Sequence, residues 1–224
     1  VNTPDLYAGI DVQERRGLPY CILDHNAVMV TSGWVNGDCD NKQAEVMRET
    51  LQAIACGARI AIGIDAPRMP LPDVRQWYWN GTKKQWRPKR SSDKGLGRHC
   101  EVVVKSLGLA NPQWTPLIGE SPTWMRLGYV LFRELETIGD VYEVFPSASY
   151  TALQQMEVHA TIELSQFKPG PKDMIDAIVG AATVQEFVCG RGWEAGGGDG
   201  FGSIVLPGPT PPDSPCMQWP GTSV

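Results

Sequence analysis

The segment Arg59-Ile-Ala-Ile-Gly-Ile-Asp65 constrains the fold more than any other part of the chain. Its apolar residues run on without alternation, which describes a strand covered on both faces. Such a strand belongs at the centre of a sheet with helices above and below it. A second run, Leu6-Tyr-Ala-Gly-Ile-Asp11, has the same character. Both runs end on an aspartate. A carboxylate is costly to bury unpaired, so two of them at the ends of central strands point to a shared site.

The remaining periodicities predict the other elements. Residues 5–12, 19–24 and 27–35 read as three strands. A short turn at His25-Asn26 joins the second to the third, which makes an antiparallel meander. Residues 41–56 place Ala44, Met47, Leu51, Ile54 and Ala55 at helical spacing, with Gly57 as the stop. A fourth strand spans 59–65, and residues 97–107 have helical character. Residues 122–138 form a strong helix stopped by Gly139. A strand at 141–145 ends at Pro146, and Ser147 caps a short helix through Gln155. The last long helix covers 171–189, with Pro171 in the first turn. Ser203-Ile-Val-Leu-Pro207 reads as a short edge strand after a glycine-rich turn at 196–202. The predicted fold is α/β: three antiparallel strands and then parallel ones in a mixed sheet, with helices on both faces. The first and fourth strands, being the most apolar, are placed side by side at its centre.

One domain over residues 1–207 accommodates these elements, with an insertion at about 66–100. Residues 208–224 are rich in Pro, Ser and Gly and are expected to form a poorly ordered tail. No stretch approaches the roughly 20 apolar residues of a membrane span, and no secretory signal is recognised at the start of the sequence. A cytoplasmic location is expected. The six cysteines show no CxxC spacing and read as reduced thiols rather than zinc ligands.

Net charge is −5, but ten of the twenty Lys and Arg fall within residues 68–105. This stretch interleaves Trp77, Trp79 and Trp86 with Lys83, Lys84, Arg87, Lys89 and Arg90. Cations contact phosphates and aromatic faces stack on unpaired bases, so the insertion is a candidate nucleic-acid surface. Arg68, close behind Asp65, is placed to reach a phosphate. Arg98 and His99 are candidates to line the same cleft, His99 as a proton shuttle.

Further acids belong with Asp11 and Asp65. Glu143 lies in Val141-Tyr-Glu143-Val-Phe-Pro. Asp173 and Asp176 are three residues apart in the last helix and so share a face. Ala177, Gly180 and Ala181 beside them are small enough to let that helix approach the sheet closely. Carboxylates that converge repel one another unless a cation lies between them, and hard cations such as Mg²⁺ or Mn²⁺ take oxygen ligands.

Four motifs carry a resemblance: Gly9-Ile-Asp11, Gly63-Ile-Asp65-Ala-Pro67, Tyr142-Glu143-Val-Phe-Pro146 and Lys172-Asp173-Met-Ile-Asp176-Ala177. In this order the chain resembles DUF429, a family of predicted nucleases in the ribonuclease-H-like superfamily, over residues 6 to about 207. The basic insertion departs from the shorter versions associated with that family. The resemblance implies Asp11 and Asp65 as metal ligands, with Asp176 and Asp173 matching the paired acids of the resolvase-like branch. It also implies a metal-dependent hydrolase acting on phosphodiester bonds, a nuclease, with nucleic acid as partner. Two rival readings are a non-catalytic nucleic-acid-binding or scaffold protein on the same fold, and a sugar-kinase or actin-like phosphotransferase. The phosphotransferase would need two duplicated domains.

Overall fold

The two apolar runs lie side by side in a seven-stranded mixed sheet, in a computed structural model that describes residues 3–13, 17–155 and 171–221. β1 (Leu6–Asp11) and β4 (Ile60–Asp65) run parallel, in a register that pairs Leu6 with Ile60 and Asp11 with Asp65. β2 (Leu18–Asp24) pairs antiparallel with β1, and β3 (Met29–Val35) pairs antiparallel with β2. The Asp24 carboxylate closes the turn between them by accepting the N–H groups of Asn26 and Val28 at 2.8 and 2.9 Å. β3 forms one edge of the sheet and leaves Val30 and Trp34 exposed.

The two faces of the central strands follow the alternation of side chains along a strand. Ala8, Ile10, Ile62 and Ile64 face α1 (Asp40–Ala55) and α3 (Thr123–Leu135), meeting Met47, Leu51, Leu131 and Phe132. Tyr7 and Ala61 face α5 (Lys172–Glu186), where Ala177, Ile178 and Ala181 cover them. Burying each large apolar side chain contributes roughly 1.5–3 kcal/mol. The sheet is therefore held from both sides, as the unbroken apolar runs require.

Beyond β4 the sheet continues in parallel with β7 (Asp140–Val144) and then β9 (Ser203–Pro207), and ends with antiparallel β8 (Gly192–Gly196). Ser203–Pro207 was expected at an edge. It lies instead between β7 and β8, buried from Ile204 onward. The true edge, Gly192–Gly196, was hidden by its glycines and by the polar Glu194. Helix α5 also ends earlier than its apolar pattern suggested. It stops at Glu186, and a wide turn over Phe187–Arg191 follows, in which Gly190 takes a φ of 76°.

The insertion builds a hairpin of its own, β5 (Trp77–Asn80) against β6 (Gln85–Pro88). It leans on α2 (His99–Ser106) and on the chain beyond β9. Residues 208–221, expected to be loosely ordered, hold the hairpin down. Cys216 is buried in a short 3₁₀ turn, and the Trp86 indole N–H donates to the Pro215 carbonyl at 3.1 Å. The Trp219 ring centroid lies 5.1 Å from that of Trp86 and 5.2 Å from that of His99. The last expected tail residues, 222–224, lie outside the described ones. No helix among the described residues is long and apolar enough to cross a membrane.

Candidate carboxylate site

Asp11 and Asp65 stand at the paired C-terminal ends of β1 and β4, on neighbouring backbones. A third element reaches them because α5 lies almost on the sheet. A Cβ at Gly9 would fall 2.0 Å from the Ala177 carbonyl oxygen and 2.3 Å from the Ala181 nitrogen. Only glycine in the strand and small residues in the helix permit this approach, and it carries Asp176 and Asp173 to the strand ends. Asp11 and Asp65 sense the acids around them. Burial first, and then the charges of Asp176 and Asp173, push the Asp11 carboxyl up to about 7, while Lys172 and a hydrogen bond to Asp65 pull it down. The Asp65 carboxyl is raised well above its ordinary value by burial, and next by Asp11 and Asp176. Mutual repulsion in a desolvated setting has this signature.

One cation already sits among these acids. Lys172, one helical turn before Asp176, donates to its Oδ2, and the Tyr150 hydroxyl of α4 (Pro146–Gln155) donates to Oδ1 at 3.2 Å. The Lys172 charge also lowers the carboxyl pKa values of Asp11 and Asp65. Among the described residues, no three His, Cys, Asp or Glu side chains converge closely enough to hold a metal ion as they stand. The donor set is nonetheless all hard oxygen, carries excess negative charge, and holds Asp11 and Asp65 in hydrogen-bond contact. These features suit a divalent cation. Asp176 would complete the set by turning from the ammonium, with Asp173 in the first turn of α5 beside it.

Asp65, Asp173 and Gln13 line a cleft of about 800 Å³. The Gln13 side-chain nitrogen is buried there and has no hydrogen-bond partner, which leaves a donor available to a bound oxyanion. Gln13, Lys172 and Tyr150 were missed from sequence. Lys172 had a signal, its i,i+4 spacing to Asp176. Tyr150 had none, because only folding brings α4 to α5.

Glu143 lines the same cleft as Asp65 and Asp173 and its charge reaches Asp65, but an arginine claims its carboxylate. Both of its oxygens accept from the Arg98 guanidinium, Oε2 at 2.7 Å, and Oε2 also accepts the Arg68 backbone N–H at 2.9 Å. Burial pushes its pKa up against these contacts. Arg98 lines this cleft as expected, though bound to acids, while the expected roles of Arg68 and His99 change. Arg98 is fully buried, clamped between Glu143 and Glu101 with Thr115 beside its Nε at 3.1 Å. Removing one partner of such a pair costs about 3–5 kcal/mol, because the other charge stays buried. The Arg68 guanidinium turns away to Glu136 and to the Val141 carbonyl.

His99 is equally committed. Its Nδ1 accepts the Gly198 N–H at 3.0 Å, so Nε2 carries the proton and donates to the Cys216 carbonyl at 2.9 Å. Burial lowers its pKa, which keeps the ring neutral. His99 therefore fastens the C-terminal segment and has no nitrogen left to shuttle protons.

The insertion residues divide in the same way. Trp86 packs against Trp79 with ring centroids 5.5 Å apart, and Arg87 is held by Asp93 through bonds of 2.6 and 2.9 Å. Trp77 lies half-buried beside the C-terminal segment. Lys83, Lys84 and Arg90 are exposed on the hairpin, and Lys89 is half-buried.

Sheet and site together define an α/β protein with a carboxylate cluster at the C-terminal ends of adjacent parallel strands, where open α/β sheets bind ligands. Compared with protein-family models, curated proteins and solved structures, the chain matches none.

Proposed function

We propose that the chain is a divalent-metal-dependent phosphodiesterase of the nuclease type on a ribonuclease-H-like scaffold. One observation carries this reading. Asp11 and Asp65 are in register on adjacent parallel strands, and α5 is pressed onto Gly9 so that Asp176 and Asp173 join them. The strand order β3-β2-β1-β4-β7 is compatible with that scaffold, as is the DUF429 resemblance of the motifs. β9 and β8 extend the sheet beyond it.

Asp11, Asp65 and Asp176, with Asp173 beside them, would hold Mg²⁺ or Mn²⁺. The ion supplies Lewis-acid neutralisation of phosphate oxygens and a lowered pKa for an attacking water. The chain's own groups do the rest. Asp11 and Asp65 are half-buried, and their mutual repulsion makes them avid for a cation. Tyr150 fixes one oxygen of Asp176 and so aims the other. Gln13 offers its free N–H to a non-bridging oxygen in the cleft. The exposed lysines of the hairpin attract a polyanion.

A second reading is favoured by the Lys172–Asp176 pair, which neutralises an acid without any ion. On that reading the fold binds nucleic acid and catalyses nothing. Incubating labelled single- and double-stranded DNA and RNA with Mn²⁺, using the parent and Asp11→Asn, decides between the two. Cleavage by the parent that falls at least about 100-fold in the variant is expected. Equal cleavage by both would remove Asp11 from the chemistry. Binding without cleavage would establish the non-catalytic reading.

A further inference from the structure

A second cavity, of about 870 Å³, opens between the β5–β6 hairpin, α2 and the C-terminal segment, and shares no lining residue with the carboxylate cleft. Its volume lies within the roughly 300–1,000 Å³ typical of small-molecule sites. Its charge is one-sided. Arg75, Lys84, Lys94 and Lys105 line it, and none of them pairs with a carboxylate among the described residues. Of its two acids, Asp93 is neutralised by Arg87, which leaves Asp213.

Aromatic rings, not acids, hold two of the cations. The Arg75 guanidinium lies 4.3 Å from the Tyr78 ring centroid and 5.2 Å from that of Trp114. Lys105 lies 5.2 Å from the same indole. The Nε and one terminal nitrogen of Arg75 are buried and lack any hydrogen-bond acceptor. A buried donor left unsatisfied costs about 1–3 kcal/mol. Lys84, Lys94 and Lys105 are exposed, and the four cations of the lining outnumber its acids. The cationic lining suits an anion, and the aromatic residues Tyr78, Trp79 and Trp114 of the same lining suit a ligand that carries a planar ring as well.

We propose that this cavity binds a nucleoside phosphate, free or as one unit of a nucleic-acid strand, with Arg75, Lys84, Lys94 and Lys105 facing its phosphate. In the strand form the proposal rests on the phosphodiesterase reading above, and in the free form it stands without it. The geometry supports the strand form in one respect. α2 and residues 111–114 separate the two clefts: Glu101 and Gln113 line the carboxylate side, and Lys105 and Trp114 line the cationic side. A strand crossing that wall would present a neighbouring phosphodiester to Asp65 and Asp173.

The test is binding in EDTA, where carboxylate chemistry is silent. Fluorescein-labelled dT10 is titrated by anisotropy, and thymidine 5′-monophosphate and inorganic phosphate are added as competitors. Lys94→Glu/Lys105→Glu is compared with the parent and with Lys42→Glu, an exposed charge reversal on α1. A tenfold or greater loss of dT10 affinity in the double variant is expected. A shallower salt dependence should accompany it, with less than a twofold change in Lys42→Glu. Lys84→Glu, at an exposed position of the hairpin tip, repeats the test should the double variant misfold.

Competition by the monophosphate at an affinity like that of dT10 assigns the site to a free nucleotide. Displacement by neither small competitor assigns it to a strand unit. Parent-like binding by the charge-reversed variants overturns the proposal, as does a parent that binds neither ligand. Asp11-dependent cleavage with unchanged binding in those variants would sink this site alone. Variant-sensitive binding without cleavage would sink the phosphodiesterase alone.

Discussion

At the scale of single residues, the candidate site depends on how four carboxylates tolerate one another. Lys172 answers part of that problem by placing an ammonium among them, bonded to Asp176. An ammonium and a divalent ion compete for the same oxygens. Lys172→Ala is therefore expected to bind Mn²⁺ several-fold more tightly by isothermal titration and to melt at a lower temperature without metal. Weaker Mn²⁺ binding would instead show that the lysine orients Asp176 for the ion. Asp11 and Asp65 were legible in sequence because an acid ending an apolar run is conspicuous. Glu143 looked the same, yet Arg98 claims it from 45 positions away. Nothing local in the sequence announces that partner: Arg98 read as a cation lining the cleft, which it does, but not as the counter-charge of Glu143.

At the scale of elements, the decisive contact is α5 against β1. The small residues Ala177, Gly180 and Ala181 announced a close approach, and the structure supplies its counterpart in Gly9. Gly9→Ala is expected to destabilise the fold by roughly 2–4 kcal/mol, because the added methyl meets backbone atoms that cannot swing aside. Urea denaturation measures it, and a loss under about 0.5 kcal/mol would mean that the helix stands off the sheet. The parent meander, the two central strands and the long helices were all readable from periodicity. β8 was not, since glycine and glutamate mask its alternation. The place of β9 inside the sheet was also hidden, because strand order depends on tertiary packing that periodicity does not encode. The C-terminal segment misled for a related reason. Its Pro and Ser content reads as loose chain, while Cys216 and Trp219 anchor it through contacts with α2 and the hairpin.

At the scale of the whole molecule, the acid cluster couples stability to pH. The folded Asp11 carboxyl titrates near 7, above its ordinary value of 3.8, so the folded chain holds a proton that the unfolded chain has already released. Between those two values stability falls as pH rises, and above about 7 the whole loss has been taken. Its size is on the order of a few kcal/mol. Thermal melts of the metal-free protein are expected to show this decline from about pH 4 to 7, on top of the titration of other groups. Asp11→Asn should flatten the difference, and millimolar Mn²⁺ should relieve it for the parent. A variant whose melting profile parallels that of the parent across this range would exclude the coupling.

The pressing of α5 onto β1 also sets a timetable. Gly9 and Ala177 come from distant parts of the chain, and contacts between such parts close late. While a ribosome is still extruding the middle of the polypeptide, β1 and β4 can associate with only their own two acids in company. The mutually repelling quartet is assembled after α5 emerges, when most of the apolar interior is already available to hold it. The least comfortable part of the molecule thus waits on a helix made long after the strands that carry its first two acids, with β8 and β9 still to follow.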